Sequence, residues 1–105
     1  MRKTTLTIAL IALAGVAHAE TPVAPETLAK SRNCLACHSD DRKIVGPSFK
    51  DVAAKYKGDA KASEKLARAT IEGSKGSWGT VPMPANKGVS EKEARFLAEW
   101  ILSTK

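Results

Sequence analysis

Apolar residues recur along this chain with a helical period. In FKDVAAKYK, Phe49, Val52, Ala53 and Tyr56 fall at i, i+3, i+4 and i+7, the stripe of one helix face, and Gly58 closes the segment. KASEKLARATIE predicts a further helix, with Leu66 and Ile71 among its apolar positions and Gly73 as its stop. Upstream, Pro25 suits a first helical turn, where its missing N–H is no loss, so PETLAKSRN predicts a helix running into Cys34. The last helix carries the fullest signal. Ser90 and Glu93 have the spacing of a capping box, and Val89 and Ala94 that of a hydrophobic staple. Phe96, Leu97, Trp100 and Ile101 then form an apolar face expected to dock on the N-terminal helix through Leu28. No alternating run is long enough for a strand, so the fold class expected is all-α, with four or so short helices.

Between Gly73 and Gly88 the helical pattern fails. GSKGSWGTVPMPANKG is too rich in Gly and Pro for regular helix, and loops of this length in a small domain are usually functional or disordered. Trp78 and Met83 favour order, because both side chains gain from burial. The Gly-rich part is no phosphate loop: no strand precedes it, and the closing Lys-Ser/Thr is absent.

The first residues form a separate unit. Met1-Arg2-Lys3, the apolar LTIALIALAGVA and the small-x-small AHA ending at Ala19 make a secretory leader pattern. The apolar run is shorter than the roughly 20 residues a membrane anchor needs. Cleavage after Ala19 is expected, giving a leader over 1–19 and a single domain over 20–105, 86 of the 105 residues. Such a domain is close to the size at which apolar burial alone gives marginal stability, so something is expected to supplement its core. Cleavage takes Arg2 and Lys3 from the 17 basic residues and leaves 15 against 11 acidic ones, a formal +4. The charges are scattered, which argues for a solvated surface and against nucleic acid. A surplus of this size still steers docking toward an acidic partner.

Chemistry concentrates in Cys34-Leu35-Ala36-Cys37-His38. These are the only cysteines, and His38 is the only histidine after the leader. The spacing is C-x-x-C-H, the pattern of c-type haem attachment. On a helix, residues three apart lie about 60° apart around the axis and roughly 4.5 Å along it. Both thiols could then reach the two vinyl groups on one porphyrin edge, with His38 on the same face beneath the iron. Two other uses of the cluster fit less well. A thioredoxin-like disulfide expects a βαβ setting, which the pattern lacks. Structural zinc wants a fourth ligand, usually from a second Cys or His pair, and only carboxylates such as Asp40 remain. The reading is one covalently attached haem c.

CLACH, IVGPSFKDVAAKY, GSKGSWGTVPMP and EARFLAEWILS follow one another at nearly the spacing of the class I c-type cytochromes. The chain resembles that family, and within it the small bacterial c-551/c-552 group, over almost all of 20–105. The resemblance implies a cytochrome c fold wrapped on one haem, with Cys34 and Cys37 as thioether positions and His38 as an axial iron ligand. Met83, the only methionine besides Met1, is the matching sixth ligand. A lone methionine is otherwise core filler, but a Met/His pair raises the reduction potential and leaves the iron no exchangeable position. The resemblance further implies that the Pro47 carbonyl accepts from the His38 ring, that the Trp78 indole N–H reaches a haem propionate, and that the Asn86 amide meets the ligand sulfur. Each has a plainer reading: a helix-starting proline, a packed tryptophan, a loop-turn asparagine. Arg68 stands one residue out of register with a family arginine near the propionates. Lys87-Gly88-Val89 makes the following loop one residue longer than in some relatives.

No catalytic acid, base and nucleophile set is present, so the expected role is not enzymatic. It is that of a periplasmic, monomeric one-electron carrier that does not insert in the membrane after cleavage. By resemblance its donor is a cytochrome or quinol-oxidising complex, and its acceptor a nitrite reductase or an oxidase. The rival is a haem sensor or peroxidase-like protein with a labile sixth ligand.

Overall fold

A computed structural model describes residues 9–12, 14–15 and 23–105; the expected leader falls mainly outside that set. Four α-helices follow in order: α1 Pro25–Ser31, α2 Phe49–Lys55, α3 Ala62–Glu72 and α4 Glu91–Leu102. A single 3-10 turn, Cys34–Ala36, lies between α1 and α2. Among the described residues there is no strand, only the isolated pairings His38 with Lys43 and Ser74 with Met83. The class is all-α, as the periodicity predicts.

Local chemistry sets the helix ends. Pro25 opens α1. Ser48 caps α2 by accepting from the Asp51 N–H at 3.1 Å. At α4 the capping box forms in both directions, Ser90 Oγ accepting from the Glu93 N–H at 3.1 Å and Glu93 Oε1 accepting from the Ser90 N–H at 3.0 Å. Ser90→Ala removes one half of it. The expected loss is about 1 kcal/mol, read as a lower urea midpoint with an unchanged slope. Arg32 Nη2 also reaches Glu93 Oε2 at 2.8 Å and joins the end of α1 to the start of α4. Together the Ser90 N–H and the Arg32 guanidinium hold the Glu93 carboxyl below the usual carboxylate range.

The core gathers on α4. Leu28 and Ala29 of α1, Ala67 of α3, Val89, Ala94 and Leu97 form one buried cluster, with Cys34, Ile71 and Trp100 packed at its border. Leu28 is where α1 meets α4, as expected. The expected face of α4 needs correction, because its buried residues are Ala94, Leu97 and Ala98, while Phe96 is 39% exposed. The small alanines let neighbouring helices approach closely, so the buried stripe centres on them and Phe96 turns outward. Trp100 meets the Phe49 ring edge-on at 5.3 Å, and this pair carries the core to the cysteine cluster.

Candidate functional site

Asn33 adopts φ 63°, ψ 19°, the left-handed conformation that asparagine tolerates better than most residues. Two residues past the end of α1, it turns the chain into Cys34. The cysteines then lie on and just after a 3-10 turn, not on the α-helix the spacing suggested. The Cys37 and His38 N–H groups both donate to the Cys34 carbonyl, at 3.2 and 3.0 Å. In a 3-10 turn, positions i and i+3 eclipse, which puts Cys34 and Cys37 above one another. Neither is in a disulfide, and both are partly exposed. Burial is the largest influence on the Cys34 thiol and pushes its pKa above the ordinary value. Burial thus favours the neutral thiol form of Cys34. Among the described residues, no three His, Cys, Asp or Glu side chains form a cluster.

His38 is held on several sides. Its Nδ1 lies 2.7 Å from the Pro47 carbonyl oxygen. A carbonyl only accepts, so Nδ1 carries the proton and Nε2 keeps its lone pair. The Phe49 ring stacks on the imidazole at 5.4 Å and 20°. Against the imidazole lies Gly46, where a Cβ would stand 2.6 Å from His38 Cε1. The segment folds back on itself to make this cradle: the Gly46 N–H donates to the Cys37 carbonyl at 2.8 Å, and the Phe49 N–H to the Ser39 carbonyl at 2.9 Å. A hydrogen-bonded Nδ1 fixes ring orientation and raises the basicity of the opposite nitrogen.

Met83 stands on the loop after α3. The Ser74 N–H donates to the Met83 carbonyl at 3.0 Å, and the Met83 N–H to the Ser74 carbonyl at 2.8 Å. Three residues on, the Asn86 N–H donates to the Thr70 carbonyl at 2.9 Å. The methionine backbone is therefore pinned to the end of α3. The large apolar side chains of this region are left bare by the protein itself. Leu35, Ile44 and Val45 are exposed beside the cysteine cluster, and Val81, before Met83, is 59% exposed. Two thiols, a lone-pair imidazole nitrogen, a thioether and bare apolar groups on the same two segments suit one large apolar prosthetic group with an iron centre. The residues fit a covalently attached haem.

The cytochrome c profile matches residues 24–105. This chain belongs to the cytochrome c family.

Relatives place it within the family. Cytochrome c-551 of Pseudomonas aeruginosa is 53% identical over 81 residues, 77% of each chain. Cytochrome c-552 of Nitrosomonas europaea is 44% identical over 101 residues, 96% of this chain and 93% of the relative. The crystal structure of the Nitrosomonas europaea cytochrome c-552 aligns with a TM-score of 0.75 at 49% identity, covering 76% of this chain and 99% of that one. The chain is thus a class I c-type cytochrome of the c-551/c-552 group with the all-α cytochrome c fold. With the family come one covalently attached haem c and electron transfer.

Several positions singled out in the sequence find partners that the cytochrome motif does not reveal. Trp78 is 36% exposed, with Lys55 Nζ over its ring at 4.3 Å. Asn86 donates from Nδ2 to the Arg32 carbonyl at 2.8 Å, and its Oδ1 accepts from the Gly88 N–H at 3.2 Å. The side chain thus shapes the Lys87-Gly88 turn and ties it to the end of α1. Arg68 reaches Glu64 at 3.8 Å in a charged cleft between α3 and α4 that also includes Glu91 and Arg95. Phe49 and Gly46 were missed as site residues. The helical stripe identified Phe49 only as a packing residue, and no sequence signal singled out Gly46, so neither pointed to the imidazole.

Proposed function

We propose that this cytochrome is a periplasmic one-electron carrier whose haem iron sits between His38 Nε2 and the Met83 sulfur, with thioether bonds to Cys34 and Cys37. The observation that carries this reading is the 2.7 Å approach of His38 Nδ1 to the Pro47 carbonyl, which leaves Nε2 as the free donor. The haem supplies reversible one-electron chemistry at iron, and the chain supplies ligands and shelter. Pro47 orients the imidazole, and the Ser74 pairing holds Met83 in place. Pro82 and Pro84 stiffen the backbone on both sides of the thioether. A soft thioether favours the reduced iron and raises the potential. With His38 and Met83 both holding the iron, no open position would remain for a substrate, which suits a carrier. Trp78 and Asn86 belong to the surroundings of that centre in this reading.

The same reading includes removal of a leader over 1–19, leaving the monohaem domain 20–105 as a monomer. Among the described residues no helix is long and apolar enough to cross a membrane. Its partners are redox proteins: a cytochrome or quinol-oxidising complex as donor, a nitrite reductase or an oxidase as acceptor. The deciding experiment is maturation in a host able to attach haem, followed by a pyridine haemochrome assay and the oxidised spectrum. The expected result is one haem per chain that resists acid-acetone extraction, together with a near-red sulfur-to-iron band. Extractable pigment defeats the thioether assignment. Covalent haem without the band instead favours a sensor or peroxidase-like protein with a labile sixth ligand.

A further inference from the structure

The loop that presents Met83 is closed at its base and has little to hold its tip. Its base is the Ser74–Met83 pairing. From 75 to 82 every residue is exposed. Gly76 and Gly79 have φ of 82° and 104°, conformations that side-chain-bearing residues rarely adopt. Glycines loosen a chain, because they lose the most conformational freedom on ordering. Ser77 and Trp78 lie between the two glycines. Among the described residues, one hydrogen bond reaches this tip from elsewhere in the fold: Lys55 Nζ, from the last turn of α2, donates to the Ser77 carbonyl at 2.6 Å. The same ammonium lies 4.3 Å from the centroid of the Trp78 ring, within the range of a cation–π interaction. One side chain thus makes two different contacts at the point where the loop is least able to hold itself.

We infer that Lys55 is a positioning residue for the axial methionine, a latch from α2 that keeps the Ser77–Trp78 tip down and so keeps the Met83 segment closed. The inference rests on Met83 being the sixth ligand. Opening the loop requires Lys55 to leave both the carbonyl and the ring, and α2 is anchored in turn through Phe49, which stacks on His38. The latch therefore joins the helix behind the imidazole to the loop bearing the thioether. Lysine suits this place because a compact ammonium on a flexible stem can donate to a carbonyl while facing a ring.

The test uses the mature holoprotein and its Lys55→Gln and Lys55→Arg variants. Imidazole serves as a competing iron ligand, and amide hydrogen exchange is followed at 76–80. Lys55→Gln is expected to bind imidazole about fivefold to tenfold more tightly and to exchange those amides faster by a similar factor, as loss of an exposed charged hydrogen bond implies. Lys55→Arg keeps a cation and a donor and should stay within about threefold of the parent. The urea midpoint should barely move, because the tip contributes nothing to the buried core. If Lys55→Gln leaves imidazole affinity and exchange within about twofold of the parent while the near-red band is present, the latch is refuted and the ligand assignment stands. If imidazole affinity rises only in step with a falling urea midpoint, Lys55 is a general stabiliser and the inference also fails. Absence of the band in the parent refutes the ligand assignment; faster exchange in Lys55→Gln would then still reveal a latch on the loop, though not on a ligand.

Discussion

Met83→Ala should abolish the near-red band of the oxidised protein and lower its reduction potential by on the order of 0.1–0.3 V, within the roughly 0.8 V over which axial ligands set haem potentials. The direction follows from removing a soft thioether that favours the reduced iron. The structure makes this variant informative, because Met83 is only partly buried and is not in the α4-centred core. Truncating a fully buried methionine costs about 2–5 kcal/mol, and a partly exposed one should cost well under that. A small change in urea midpoint beside a large change in spectrum and potential is thus the expected pattern. A methionine serving only as packing gives the reverse: a retained spectrum and a shifted midpoint. Added imidazole should bind Met83→Ala readily, because no internal ligand competes.

Gly73→Ala is expected to be the most destabilising change outside the ligands themselves, by about 2–5 kcal/mol, and to weaken the near-red band as well. Gly73 ends α3 with φ 81° and ψ 169°, a region essentially restricted to glycine and costly for any other residue. Space compounds the strain. A Cβ here would stand 2.8 Å from the Met83 carbonyl oxygen and 2.9 Å from the Ala85 nitrogen. Both atoms are backbone and cannot rotate aside. Relief must come from moving the Met83–Ala85 segment away from α3, which breaks the two Ser74–Met83 hydrogen bonds. Stability and ligation should therefore fail together, in contrast to Met83→Ala. The checks are urea unfolding and the near-red absorbance of the oxidised holoprotein. A loss under 1 kcal/mol with an intact band would show that the loop can shift without cost, and the close packing would then have no role in placing Met83.

The helices were legible because their signals are short-range. The Ser90–Glu93 box, the proline opening α1 and the glycine closing α3 are settled within a few residues, and each recurs in the structure at the place the sequence predicts. The C-x-x-C-H cluster was legible for the same reason, and the family match accounts for its haem. The local form of that cluster was not. An α-helix was expected, but Asn33 takes a left-handed conformation and the cysteines follow on a 3-10 turn. The Gly46 N–H, returning to the Cys37 carbonyl, belongs to a fold-back that helical spacing cannot reveal. The buried stripe of α4 was misjudged because bulky residues dominate a periodicity, whereas helix approach selects the small ones.

What the sequence determined by itself is the inventory and its order: which thiols, which imidazole and which thioether this chain can bring to an iron, and which stretches coil between them. Tertiary structure decided where the remaining hydrogen-bond capacity goes. It set the proton of His38 on Nδ1 through Pro47, gave the Asn86 amide to Arg32 across 54 residues of sequence, and laid Lys55 over a tryptophan on another segment. In each of those pairs a donor meets its acceptor only after the chain between them has closed.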